Sequence, residues 1–98
     1  MNMRELQKMQ QKIMKMQEEL EATLFTGTAG GGAVTITMSG KFETVGIKID
    51  PEAFDPEDIN ELEVMLMAAS KDAFNKASEA QQRLASAAAG NIKIPGLF

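Results

Sequence analysis

Arg4, Lys8, Lys12 and Lys15 follow one another at steps of 4, 4 and 3 near the start of the chain. On an α-helix, at about 100° per residue, that spacing gathers them into a stripe about 80° wide. A row of cations on one helix edge can track a phosphate backbone, because each neutralised phosphate releases condensed counterions whatever the base sequence. The same row serves equally as a solvated helix face, the ordinary use of surface charge. Lys71, Lys76 and Arg83 form a looser second group. Seven acids and no base lie between Asp50 and Glu63, namely Asp50, Glu52, Asp55, Glu57, Asp58, Glu61 and Glu63. The formal charge of −4 therefore hides a remainder of ten basic and seven acidic residues. Such carboxylates could take a hard divalent cation, but their spacing fits no calcium loop, and a helix start favours acids through its dipole alone.

What the chain lacks narrows the chemistry further. It has no Cys and no His, which removes thiol nucleophiles, disulfides, thiolate metal sites and the imidazole base. Five Phe with no Trp or Tyr argue against the stacking platforms that grip single-stranded nucleic acid. Gly27 and Gly32 have the outer spacing of a phosphate-binding loop, yet Ala33 and Val34 stand where that loop needs Lys and a hydroxyl residue. The glycines are read instead as a mobile turn. No carboxylate pair is set against a nucleophile or base, so neither an enzyme nor a cofactor nor a metal site is expected. The eight Met suit core or dimer packing, or an adaptable partner surface.

The elements that must position the cations can be read from periodicity. Leu6, Met9, Ile13, Met16 and Leu20 recur at heptad spacing from Asn2 to about Ala22 and predict an amphipathic helix with a narrow apolar seam, flanked by the cationic stripe. A strand from Thr23 to about Thr28 follows, then the Gly30-Gly31-Gly32 run. Ala33 to Met38 alternates, with Val34, Ile36 and Met38 on one face, and Val45, Ile47 and Ile49 repeat the pattern after a turn at Ser39-Gly40-Lys41. Gly46 inside that last strand marks a bulge. Asp55-Pro56-Glu57-Asp58 combines a cap, a Pro at the first helical position and first-turn acids, which predicts a second helix from there to about Gly90. At about 1.5 Å per residue this helix is on the order of 50 Å long and must break or project from the body. The tail from Ile92 to Phe98 carries Pro95-Gly96 and is expected to dock as an extended segment. A three-stranded meander has exposed edges, and pairing with a second copy is the simplest protection.

With 98 residues the chain forms one domain, 1–98, of the α+β class. A chain this short hides only about 60–65% of its unfolded surface, which makes self-association a natural supplement. No early apolar run resembles a signal peptide and no stretch suits a membrane span, so a cytoplasmic location is expected.

Several fragments occur together and in order: Lys15-Met16-Gln17-Glu18-Glu19-Leu20, Gly27-Thr28-Ala29-Gly30-Gly31-Gly32, Ile47-Lys48-Ile49-Asp50-Pro51, Asp55-Pro56-Glu57-Asp58 and Ile94-Pro95-Gly96-Leu97-Phe98. Together they resemble the YbaB/EbfC family of small bacterial nucleoid-associated proteins, from about Met9 to Phe98. The resemblance implies a helix, three strands and a helical C-terminal portion, with the sheets of two copies joined in a homodimer whose helices project like tweezers. It implies double-stranded DNA as partner, a place in the nucleoid, and a role in nucleoid organisation or gene regulation. On this sequence the implied DNA-facing residues are Arg4, Lys8, Lys12, Lys15, Lys71, Lys76 and Arg83. Val34, Ile36 and Met38 are the expected dimerisation face. The competing expectation is a protein-interaction module whose Met-rich helices bind a replication or recombination protein, with DNA contact incidental.

Overall fold

The computed structural model describes residues 2–92, in the order helix α1 (Met3–Ala22), strands β1 (Leu24–Ala29), β2 (Val34–Ser39) and β3 (Thr44–Ile49), a 3₁₀ turn at Pro51–Ala53, and helix α2 (Ile59–Ile92). The residues expected to form the extended tail, apart from Ile92, lie outside the described part. α1 starts where Asn2 caps it, its side-chain oxygen accepting from the Glu5 amide at 2.9 Å. The strands form one antiparallel sheet in the order β1-β2-β3. Gly30, Gly31 and Gly32 all take positive φ in the β1–β2 turn, a conformation that side chains resist. Between β2 and β3, Thr37 faces Gly46 while Met38 faces Thr44, so Val45 is the extra residue of a bulge beside Gly46.

α2 begins later than the Asp55-Pro56 signal predicts. Asp55 is occupied in a tight turn: its carboxylate accepts from the Glu57 amide at 2.9 Å and its carbonyl from the Asp58 amide at 2.9 Å. Asp58 is the cap, accepting from the Glu61 amide at 3.2 Å, and Asp58-Ile59-Asn60-Glu61 has the spacing of a capping box. Asp58→Ala is therefore expected to cost about 1 kcal/mol, a drop of roughly 4–8 °C in melting temperature followed by circular dichroism. A larger loss from Asp55→Ala would put the cap back at Asp55. At its other end α2 runs through Gly90, unbroken over 34 residues.

The first half of α2 lies across β1 and β2. Val34, Ile36 and Met38 of β2 meet Ala69 and Ala73 of α2 in the core, with Ala29, Phe54, Leu62, Met65 and Leu66 around them. The approach is close because the meeting residues are small: a Cβ on Gly27 would overlap the Ala69 carbonyl and the Ala73 amide. The opposite sheet face carries Thr26, Thr28, Thr35, Thr37 and Lys48, the polar half of the alternation. The second half of α2 leaves the sheet and meets α1, which gives the molecule extents of 65 × 24 × 15 Å. The long helix thus projects rather than breaks.

Candidate nucleic-acid interface

α1 is held at its C-terminal end. Thr23 donates its amide to the Leu20 carbonyl at 3.0 Å and its hydroxyl to the Glu19 carbonyl at 2.7 Å. The Gly40 amide donates to the Thr23 carbonyl at 3.0 Å, and Gln81 of α2 donates to the Gly40 carbonyl at 2.7 Å. A Cβ on Gly40 would overlap the Leu20 carbonyl, so the β2–β3 turn can clamp the helix end only with glycine there. Met9, Ile13, Met16 and Leu20 are half-buried, and Met16 and Leu20 share a cleft with Ala80, Arg83, Leu84 and Ala87 of α2. The heptad seam therefore serves as a helix-to-helix contact within the chain, and the N-terminal half of α1 runs out along the arm of α2.

That half carries the predicted stripe. Arg4, Lys8, Lys12 and Lys15 are all exposed, and among the described residues none of them forms an ion pair. They extend over about 16 Å of helix, the axial rise of about five base pairs. Glu18, Glu19 and Glu21 lie beyond them, toward the sheet, so positive charge is confined to the outer part of α1. The acidic run lies at the other end of the molecule: the strand end at Ile49 is remote from the Gly40 turn that holds α1. Asp50, Asp55 and Asp58 there each accept a backbone amide, which gives them a local structural role. Among the described residues no group of three or more His, Cys, Asp or Glu could hold a metal ion, and no helix is long and apolar enough to cross a membrane.

The α2 cations do not form one site. Arg83 sits in the cleft beside α1 with Met16 and Glu19. Lys71 is exposed and lines the rim of a groove between α2 and β3, beside Met67, Ser70 and Phe74. Lys76 donates to the Thr26 carbonyl at 2.8 Å and pairs with Asp72 at 3.4 Å, an arrangement its position in the sequence does not reveal. The Thr28 amide, donating to Asp72 at 3.0 Å, and then the Lys76 ammonium hold the Asp72 carboxyl below its ordinary range, against desolvation. A lowered carboxylate pKa favours the folded state above the unfolded value, and the contribution is lost as pH falls through the lowered one.

Val34, Ile36 and Met38 are buried under α2 of their own chain, 0, 4 and 5% exposed. The helix takes up the face that the alternation suggested for a second copy. What stays open is the same sheet face over β3, because α2 covers only β1 and β2. There Ile47, Met67 and Phe74 are 57, 66 and 47% exposed and line an apolar groove of about 580 Å³, floored by Ile36 and Met38. Phe42 stacks on Phe74 at one end, ring centroids 5.0 Å apart. The sequence pattern marks Ile47 as inward-facing but cannot say that α2 stops short of it.

Comparison with known proteins places the sequence and the fold. The model of the YbaB/EbfC DNA-binding family matches residues 1–92. A nucleoid-associated protein of Pelotomaculum thermopropionicum is 46% identical over 96 residues, covering 98% of this chain and 91% of its own. One from Chloroflexus aurantiacus is 43% identical over 102 residues and covers both chains in full. The crystal structure of the uncharacterized protein HP0035 from Helicobacter pylori superposes with a TM-score of 0.71 at 27% identity, over 87% of this chain and 94% of that one. By its sequence over nearly its whole length, and by the helix–meander–helix fold it shares with that structure, the chain belongs to the YbaB/EbfC DNA-binding family.

Proposed function

We propose that this protein is a nucleoid-associated component that binds duplex DNA as a homodimer, chiefly through the phosphates. The observation that carries the reading is the exposed edge of Arg4, Lys8, Lys12 and Lys15 on a projecting helix, free of ion pairs among the described residues. Arg83 sits beside Glu19 at the inner end of α1, Lys71 lies apart and Lys76 is already engaged, so α2 adds less to that edge. Phosphate contacts without base readout suit an architectural role in organising the nucleoid or regulating genes. Two copies present eight such cations; if about half reach phosphates, log affinity falls against log salt with a slope of about −3 to −4. Fluorescence polarisation on a random-sequence duplex at several salt concentrations measures that slope, and a slope near zero would remove the phosphate reading.

The dimer is supported by surface arithmetic. A compact monomer of this mass exposes about 5,500 Å² with a radius of gyration of about 13 Å, whereas this chain exposes 7043 Å² and has a radius of 18.7 Å. The projecting arm accounts for part of the excess, and the β3–α2 groove is the apolar part of the open surface that a second copy would cover. A charge placed in that groove, as in Phe74→Asp, is expected to halve the mass measured by light scattering at fixed concentration. Refractive index must report concentration, since the chain has no Trp or Tyr. An unchanged mass would move the interface elsewhere, and a native protein already monomeric would leave the groove for a different protein, the reading in which replication or recombination partners dock there.

A further inference from the structure

The outer edges of the sheet are treated differently. In the β1–β2 ladder the Gly40 amide bonds the Thr23 carbonyl, so residues paired in the same phase, Phe25, Gly27 and Ala29, turn their amides and carbonyls toward β2. Leu24, Thr26 and Thr28 therefore aim theirs outward, along a free edge that is a template for another strand. Two of those groups are occupied. The Thr26 carbonyl accepts from the Lys76 ammonium at 2.8 Å, the Thr28 amide donates to the Asp72 carboxylate at 3.0 Å, and the two side chains pair at 3.4 Å. Both come from α2, one turn apart, and they reach the edge because Gly27 lets the helix lie directly on β1. Along β3, by contrast, every residue is exposed, and among the described residues no side chain bonds its backbone.

We propose that Asp72 and Lys76 form a clip that closes the β1 edge against strand addition by a second copy of this chain, so that self-association is restricted to the β3 side. The donor and acceptor are matched in sense to the edge: an ammonium on the carbonyl, a carboxylate on the amide. An incoming strand needs both of those groups, and it must displace an ion pair and two charge-assisted bonds to reach them. Lys76 is accordingly a positioning residue of the sheet, not a phosphate contact.

The test is the double variant Asp72→Ala/Lys76→Met, with and without Thr28→Pro, followed by light scattering over a concentration series and by circular dichroism. Thr28 does not donate to β2, so a proline there leaves the internal ladder intact while removing the outward amide and blocking the edge. The clip-less double variant is expected to keep its helical signal while its mass rises several-fold with concentration above that of the native protein. Adding Thr28→Pro returns the mass to the native value. Native mass in the double variant, growth that Thr28→Pro fails to reverse, or loss of the helical signal would each overturn the proposal, the last by showing that the pair only stabilises the fold. Phe74→Asp acts on the other side of the sheet and leaves this outcome unchanged, so failure of the clip and failure of the groove interface are read separately.

Discussion

Replacing Lys8 and Lys12 together with glutamate will abolish binding to duplex DNA while leaving the protein folded and its mass unchanged. Both side chains are exposed on the outer half of α1, away from its seam on α2, and neither is paired among the described residues. Folding therefore loses nothing beyond a few tenths of a kcal/mol of surface electrostatics. Binding loses far more. Each phosphate contact carries close to one decade of affinity at about 0.1 M salt, so two lost contacts lower affinity about 100-fold. In a dimer the change removes four cations and adds four anions, and the repulsion of those carboxylates by phosphate comes on top. Fluorescence polarisation should show both the loss and a flattened salt slope. Undiminished affinity in a variant with native circular dichroism would exclude α1 as the phosphate-contacting edge, and Lys71 and Arg83 of α2 would then have to be tested in its place.

The parts of this fold that local chemistry controls were legible in the chain. The heptad seam of α1, the alternation of β2 and the bulge beside Gly46 depend on neighbours a few residues away, and each is where the spacing puts it. The cap of α2 lies at Asp58, three residues beyond the Asp55 cap that the sequence signals. Asp58 wins since it has Glu61 three residues on, while Pro56 commits Asp55 to a turn. The Asp58-Ile59-Asn60-Glu61 spacing is itself a sequence signal, masked by the Asp55-Pro56 pair just before it.

The candidate site was legible in a more limited way. The cationic stripe depends only on α1 being a helix, and it stands as the spacing predicts. Which strand α2 covers depends on long-range packing, and this is where the reading of Val34, Ile36 and Met38 as a dimer face parted from the structure. Alternation shows that they share a face; it cannot show that Ala69 and Ala73 of the same chain occupy it. Lys76 illustrates the same limit. With an acid four residues before it, as Arg83 has, it reads in the sequence like Arg83, and its contact with Thr26, 50 residues away, separates the two.

Gly27 controls that packing, and Gly27→Val will destabilise the protein severely although valine is the better strand former. Propensity in a strand favours valine over glycine by about 1 kcal/mol at most. Against it stands the overlap of any Cβ at this position with the Ala69 carbonyl and the Ala73 amide. Both obstacles are backbone in the middle of an unbroken helix, so neither can turn aside as a side chain would. Relief requires lifting α2 from β1, which opens the Val34–Ala73 core and draws Asp72 and Lys76 off the strand edge. Overpacking that side chains can absorb costs about 1–3 kcal/mol; a clash with fixed backbone lies at or above the top of that range. Gly46→Val supplies the contrast within the same sheet. Its added Cβ would meet only the Thr37 Cβ at 3.9 Å, ordinary contact on the exposed face, so propensity decides and the change is neutral or stabilising. Urea denaturation of the two variants at equal protein concentration compares the opposing effects directly. If Gly27→Val unfolded at the native midpoint, the helix would not rest on β1 as closely as this packing demands.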